Sequence, residues 1–281
     1  MPAERAPGAA DAGFEAVREL VRAGRRGAVV TVIQGNGLGA KLLVTADEAT
    51  GTLGDAEVDA KATALARELL AGEESGVREA AGRTVFIDVL VPQPKLLVIG
   101  AVDFSAALAR LAVAAGFHVT VVDPREHFAT AERIPDADEI LIGWPQEHMA
   151  ANPPDDSTYI AVLTHEPRFD DPTLTAALRS QAAYIGAMGS RRAHGERIDR
   201  LREAGFGDDD FARISAPIGL DLGATNTEET AISILAEVIA ARHGRTGGRL
   251  SDVKKPVHSI REREELAEGE NAQLAEGERR A

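Results

Sequence analysis

The apolar positions of this chain fall mostly into short continuous runs, separated by stretches of alanine, leucine and charge. Lys95-Leu96-Leu97-Val98-Ile99 is one such run, closed by Gly100, and it predicts a strand buried on both faces of a parallel sheet. Ala106 to Ala115 is rich in strong helix formers and ends at Gly116. His118-Val119-Thr120-Val121-Val122-Asp123 is β-branched at most positions and predicts the next strand, which finishes on a carboxylate. Strand, helix and strand at this spacing form the opening unit of a dinucleotide-binding fold. In that fold the first turn faces a pyrophosphate and the acid faces a ribose.

The same patterns extend in both directions. Phe14, Val17, Leu20 and Val21 recur at helical spacing before Gly24, predicting an amphipathic helix. Ala28 to Ile33 reads as a strand and Lys41 to Thr45 as its partner. The glycine-dense link Gln34 to Ala40 lacks the spacing of a phosphate-binding P-loop, so a hairpin loop with positive φ is the simpler reading. A helix from Glu57 to Leu70, a polar loop from Gly72 to Gly76 and a strand from Val85 to Val91 follow. Val91-Pro92-Gln93-Pro94 is a stiff connector and marks a domain boundary. Beyond it, Glu139 to Gly143, Thr158 to Thr164 and Ala183 to Met188 are strands. Asp171 to Gln181 is a helix opening on Pro172, and Arg191 to Ala204 is another. A third runs from Thr227 to Arg242, with Asn226 and Glu229 spaced as a capping box.

The fold class is therefore α/β, a Rossmann-like parallel sheet with a smaller N-terminal α+β domain. The domains are residues 11–93 and 94–250, followed by an acidic tail over 251–281 in which Leu-Ala-Glu-Gly-Glu occurs twice. That tail reads as a solvated, disordered end.

Composition narrows the functional classes. Among 281 residues, 45 acids oppose 31 bases for a net charge of −14, which disfavours wrapping nucleic acid or an anionic membrane surface. No apolar run approaches a membrane span and the first residues lack a signal-peptide pattern, so the expectation is a cytoplasmic protein without membrane insertion. Cysteine is absent, which removes disulfides, thiolate metal ligands and sulfur chemistry on a cysteine of this chain.

Candidate chemistry concentrates where strands end. The first turn reads Gly100-Ala101-Val102-Asp103-Phe104-Ser105 against an expected G-x-G-x-x-G/A. Gly100 permits the tight turn and Ser105 is small. Val102 replaces the glycine that lets backbone approach a pyrophosphate, and Asp103 would repel a phosphate. Asp123 is placed for a ribose hydroxyl, with Arg125 suited to a 2′-phosphate. His165 in Thr164-His165-Glu166 is a hydrogen-bonding or acid–base group, or simply a loop brace. Gly186-Ala187-Met188-Gly189-Ser190-Arg191-Arg192 brings glycines, a hydroxyl and guanidinium groups to a helix start, a combination suited to an anion. The plainer alternative for Arg191 and Arg192 is a solvated helix face.

Several blocks in order resemble the XdhC/CoxI family: Ile99-Gly100-Ala101, Thr120 to Arg125, Arg133 to Asp138, Thr164-His165-Glu166, Tyr184 to Arg192, Pro217 to Ala224 and Glu228 to Glu237. The resemblance covers most of Lys95 to Leu250 and, more faintly, the first unit. It implies an accessory protein that binds molybdenum cofactor (molybdopterin), protects it during sulfuration and delivers it to the apoenzyme subunit of a molybdenum hydroxylase. Xanthine dehydrogenase and carbon monoxide dehydrogenase are such clients. It also implies a non-catalytic role, with Gly100, Ala101, Asp123, Arg125, His165, Gly186, Gly189, Ser190 and Arg191 at the ligand. The chain departs from the family at Thr52 to Val58, where members carry a cysteine motif, and at Val102-Asp103, where many show Gly-His. An NAD(P)-dependent oxidoreductase and a ligand-free interaction module are the competing readings. A homodimer is a further expectation, because a thin first domain leaves apolar strands to cover.

Overall fold

The computed structural model describes residues 9–253; the duplicated acidic segment and the side chain of Phe14 lie outside the described residues. The chain divides between Pro92 and Gln93 into two compact units.

The first unit contains α1 (Ala9–Arg22), β1 (Gly27–Gln34), β2 (Lys41–Val44), β3 (Ala49–Gly51), α2 (Ala56–Gly72), β4 (Gly76–Ala80) and β5 (Arg83–Leu90). Its sheet is antiparallel, in the order β3-β2-β1-β5-β4. Alternate residues Ala28, Val30 and Val32 of β1 join Val85 and Ile87 of β5 under α2, which contributes Val58, Ala62, Ala66 and Leu69. The period of two on the strands and the helical spacing on α2 thus meet in one core. Strands β3 and β4 carry no clear sequence signature: one is three residues long, and Gly76–Ala80 reads Gly-Val-Arg-Glu-Ala, with no apolar–polar alternation. In α1, Leu20 is buried but Val21 is 59% exposed, so the apolar stripe is narrower than its sequence spacing predicts.

The link between β1 and β2 is a hairpin loop, with Gly35, Gly37 and Gly39 all at positive φ. A Cβ on Gly37 would lie 2.9 Å from the Leu53 carbonyl oxygen, so both its conformation and its surroundings require glycine. In the Thr52–Val58 stretch, Asp55 caps α2 by accepting from the amides of Glu57 (2.9 Å) and Val58 (3.3 Å). Asp59 accepts from the Leu53 amide at 2.6 Å and the Thr52 hydroxyl at 2.7 Å. The segment is a helix cap satisfied by its own carboxylates.

The second unit contains β6 (Lys95–Ile99), α3 (Asp103–Ala114), β7 (His118–Asp123), β8 (Glu139–Ile142), α4 (Pro145–Ala151), β9 (Thr158–Val162), α5 (Pro167–Leu178), β10 (Tyr184–Ala187), α6 (Arg191–Glu203), α7 (Asp208–Phe211), β11 (Ile214–Ser215) and α8 (Thr227–Arg242). All six strands are parallel, in the order β11-β10-β9-β6-β7-β8. Read from the far edge, this is the doubly wound order of dinucleotide-binding sheets. Leu96 and Val98 face α3 and α8. Leu97 and Ile99 face the other layer, with Met149, Leu174, Ala177 and Leu201 of α4, α5 and α6. Burial on both faces explains the continuous apolar runs.

Helix α5 begins at Pro167, not Asp171. Pro167 occupies the first turn, where its missing N–H is harmless, and Pro172 is carried inside the helix. At α8 the Asn226 side chain accepts from the Glu229 amide at 2.8 Å, as a capping box requires. The Glu229 carboxylate reaches back to the Thr225 amide, also at 2.8 Å, one residue beyond the N-cap amide of the usual reciprocal bond.

Glu237 on α8 fastens the last turns of the sheet. It accepts from the Tyr184 hydroxyl and the Gly219 amide, each at 2.6 Å, and from the Ser215 hydroxyl. Burial and the adjacent carboxylate push the Tyr184 hydroxyl far above its ordinary pKa, so it donates throughout the physiological range. Replacing Glu237→Ala leaves three donors without their acceptor, with an expected loss of about 2–4 kcal/mol. Urea unfolding measures this; a loss within error of zero would show that the carboxylate is dispensable to the fold.

Candidate functional site

In a doubly wound sheet, ligands bind beyond the carboxyl ends of strands, at the point where successive crossovers diverge. Here that point lies between β6 and β9, since α3 packs on one face and α5 on the other. Gly100 leaves β6 at φ +101°, and a Cβ on it would meet Thr164 Cγ2 at 2.5 Å. Glycine is therefore required by both conformation and contact, and it brings the first turn against the turn after β9.

The first turn is closed by its own hydrogen bonds. The Gly100 amide donates to the Val122 carbonyl at 2.9 Å. The Val102 amide donates to Ser105 Oγ at 3.3 Å, and the Ser105 hydroxyl donates to the Gly100 carbonyl. The Ala101 amide donates to Asp123 Oδ2 at 2.7 Å. Asp123 is fully buried. It also accepts from the Arg125 amide (2.8 Å), Nε (2.9 Å) and Nη2 (2.7 Å). Burial alone would push this carboxyl up, but the bonds from Arg125 and the Ala101 amide hold it below the ordinary carboxylate range. The residue placed for a ribose thus has both oxygens engaged by protein.

Arg125 also stacks on aromatic rings, 4.5 Å from the centroid of Phe128 and 5.7 Å from that of Phe169. Asp103, read in the sequence as repelling phosphate, is an exposed partner of Arg133 at 3.2 Å. Val102 packs its side chain against the α3 core.

One strand further along, a buried polar chain joins two turns. The Thr164 hydroxyl donates to Asp170 Oδ1, and Arg197 Nη2 donates to Asp170 Oδ2 at 3.1 Å and to the Met188 carbonyl at 3.0 Å. Asp170 and Arg197 are each only 4% exposed in their side chains. Burial pushes the Asp170 carboxyl up, against the opposing bonds from Thr164 and Arg197. This network ties the turn after β9 to the turn after β10.

The residues proposed from sequence are thus distributed unevenly. Gly100, Ala101, Asp123 and Arg125 form one connected group. Gly189 and Ser190 lie at the start of α6, where Ser190 Oγ caps the helix by accepting from the Ala193 amide at 3.1 Å. Arg191 and His165 are exposed, and Arg192 pairs on the surface with Glu196 at 3.0 Å. Gly186 is buried within β10, where a Cβ would lie 2.4 Å from Ile218, so its part is packing. Asp170 and Arg197 were not singled out in the sequence. Arg197 sits among seven charged residues of α6 and carries no local mark of being its buried one.

A separate cavity of about 330 Å³ lies at the amino ends of the strands, lined by Lys95, His118, Thr120, His148 and Thr158 among others. Among the described residues, no group of three or more His, Asp or Glu side chains is placed to hold a metal ion.

Fold and edge together define a doubly wound, Rossmann-like α/β protein whose acid at the end of β7 is internally saturated. The chain belongs to the XdhC family: the XdhC Rossmann domain matches residues 96–238, and the XdhC and CoxI family matches residues 20–80. Three curated relatives are similar over part of their length. They are the Escherichia coli protein YqeB (30% identical, 62% of this chain and 32% of the relative), a Bacillus subtilis protein named as a probable subunit of xanthine dehydrogenase (30%, 56% and 46%) and the molybdenum cofactor insertion chaperone PaoD of Escherichia coli (35%, 31% and 28%). The chain spans less than half of each. A Bacillus halodurans crystal structure described as a xanthine dehydrogenase shares the fold, with a TM-score of 0.62 at 23% identity over 88% of this chain and 72% of that one. Among the described residues, no helix is long and apolar enough to cross a membrane.

The saturation of Asp123 gives a testable pH dependence. Its folded pKa is depressed, so its contribution is complete above the unfolded value of about 3.9 and disappears as pH falls through the lower folded value. Asp123→Asn is expected to destabilise by about 2 kcal/mol at pH 7, a figure discounted because the Arg125 guanidinium is partly open to solvent. The gap from wild type should narrow below pH 4 in urea titrations, and a gap independent of pH would contradict the pairing.

Proposed function

We propose that this protein holds molybdenum cofactor at the carboxyl edge of its parallel sheet, protects it during sulfuration, and passes it to the apoenzyme of a molybdenum hydroxylase. Family membership supports this reading, together with similarity to a protein named as a molybdenum cofactor insertion chaperone and to one named as a probable part of xanthine dehydrogenase. The observation that carries it is the donor set at the turn after β10: Gly189, a helix start and a buried guanidinium in a chain of net charge −14. Such a set suits the phosphate of a pterin cofactor. The bound group would supply the molybdenum chemistry; the residues of this chain would bind, orient and shield it. With no cysteine in the sequence, sulfur would reach the cofactor from another protein.

An NAD(P)-dependent oxidoreductase is the weaker reading. It needs Asp123 or Arg125 to meet a ribose or its 2′-phosphate, and each is engaged with the other. It also needs a backbone approach that Val102 narrows. A client hydroxylase is the partner the main reading requires, and self-association through the apolar strands of the first unit is compatible with it. On incubation with purified molybdenum cofactor, the pterin is expected to co-elute with the protein on gel filtration. Loss of the pterin from the protein peak would contradict the proposal. Titration with NADH or NADPH is expected to leave nucleotide fluorescence unchanged, and saturable enhancement would favour the oxidoreductase.

A further inference from the structure

We infer that Arg197, and neither Arg191 nor Arg192, is the guanidinium that receives an oxyanion at the start of α6. The inference rests on the cofactor-holding reading and specifies the part of the ligand held there, a phosphomonoester. Arg197 is 3% exposed. Its Nη2 is committed to Asp170 and the Met188 carbonyl, while its Nε and Nη1 are buried with no acceptor. A buried N–H without a partner costs about 1–3 kcal/mol, so two such nitrogens on one guanidinium call for an acceptor outside the chain. His194, one turn earlier, likewise buries Nδ1 without a partner.

The Arg197 guanidinium sits under the turn that opens α6. Gly189 has φ +137°, and a Cβ on it would lie 3.7 Å from Arg197 Nη2 and 3.9 Å from Nη1. The guanidinium is therefore directly beneath a crest that carries no side chain. Helix α6 is 13 residues long. Ser190 takes the Ala193 amide with its hydroxyl and the His194 amide with its carbonyl, which leaves the amides of Arg191 and Arg192 for a ligand. Nε and Nη1 are closed from solvent in this conformation, so an anion can bridge guanidinium and helix start only once this turn opens. Asp170 stays on the Nη2 edge and balances the guanidinium charge.

The test is a titration of the ¹⁵N-labelled full chain with inorganic phosphate, followed by NMR. Saturable shifts are expected at the Arg197 Nε–H and at the amides of Gly189, Arg191 and Arg192. Arg197→Lys, which keeps the charge but removes these donors, should weaken phosphate about tenfold or more, whereas Arg191→Ala with Arg192→Ala should change it less than about threefold. Shifts confined to the exposed arginines, or phosphate affinity unchanged in Arg197→Lys, would overturn the assignment. Should that variant fail to fold, an Arg197 Nε–H resonance unmoved at saturating phosphate in wild type overturns it equally. Retention of molybdenum cofactor by a folded Arg197→Lys variant at wild-type level would sink the phosphate assignment and leave the holding role standing. Phosphate binding as described without cofactor retention would do the reverse.

Discussion

Strands β6 and β9 lie side by side, yet their following helices pack on opposite faces of the sheet. In sheets of this order that divergence marks the edge where ligands bind, and the rest of the site is arranged around it. Gly100 and Thr164 meet there by a contact that no side chain on residue 100 would allow. Polar groups run outward on either side, through Ala101, Asp123 and Arg125 in one direction and through Asp170, Arg197 and Met188 in the other. Both lines hold their turns through carboxylates paired with arginine.

Those two pairs differ in what they leave open. Asp123 is saturated by one guanidinium and two backbone amides, so it fixes the first turn and has nothing left to offer a nucleotide. Asp170 engages only one nitrogen of Arg197. A buried ion pair contributes little net stability, because desolvation offsets much of its attraction, but losing either partner strands the other charge. Its consequence here is positional: the turn after β10 is tethered to the turn after β9 through a group whose remaining donors are unengaged. The topology is that of a dinucleotide-binding sheet, while the unengaged donors lie after β10, two strands from the usual glycine turn.

Much of this was legible in the sequence. Lys95–Ile99 and His118–Asp123 announced a buried parallel sheet by unbroken apolar runs, and α8 appeared at its predicted bounds with its predicted cap. The start of α5 was not legible, since Pro167 and Pro172 both suit a first turn and only packing chooses between them. Strand β3 and helix α4 are too short for periodicity to register. At the site, glycines, Ser190 and Asp123 were visible because local chemistry marks them. Arg125 lies two residues from Asp123, but its turning back onto the carboxylate, the Ala101 bond 22 residues away and the burial of Arg197 against Asp170 27 residues away are set by the folded turns. No local pattern encodes which donors are taken.

The most direct trial of this account is a crystal structure of the protein loaded with molybdenum cofactor. The account predicts pterin density beyond the carboxyl ends of β9 and β10, with its phosphate against the Gly189–Ser190 turn. Cofactor seated instead in the cavity beside Lys95 and His118, or in the antiparallel first unit, would contradict it.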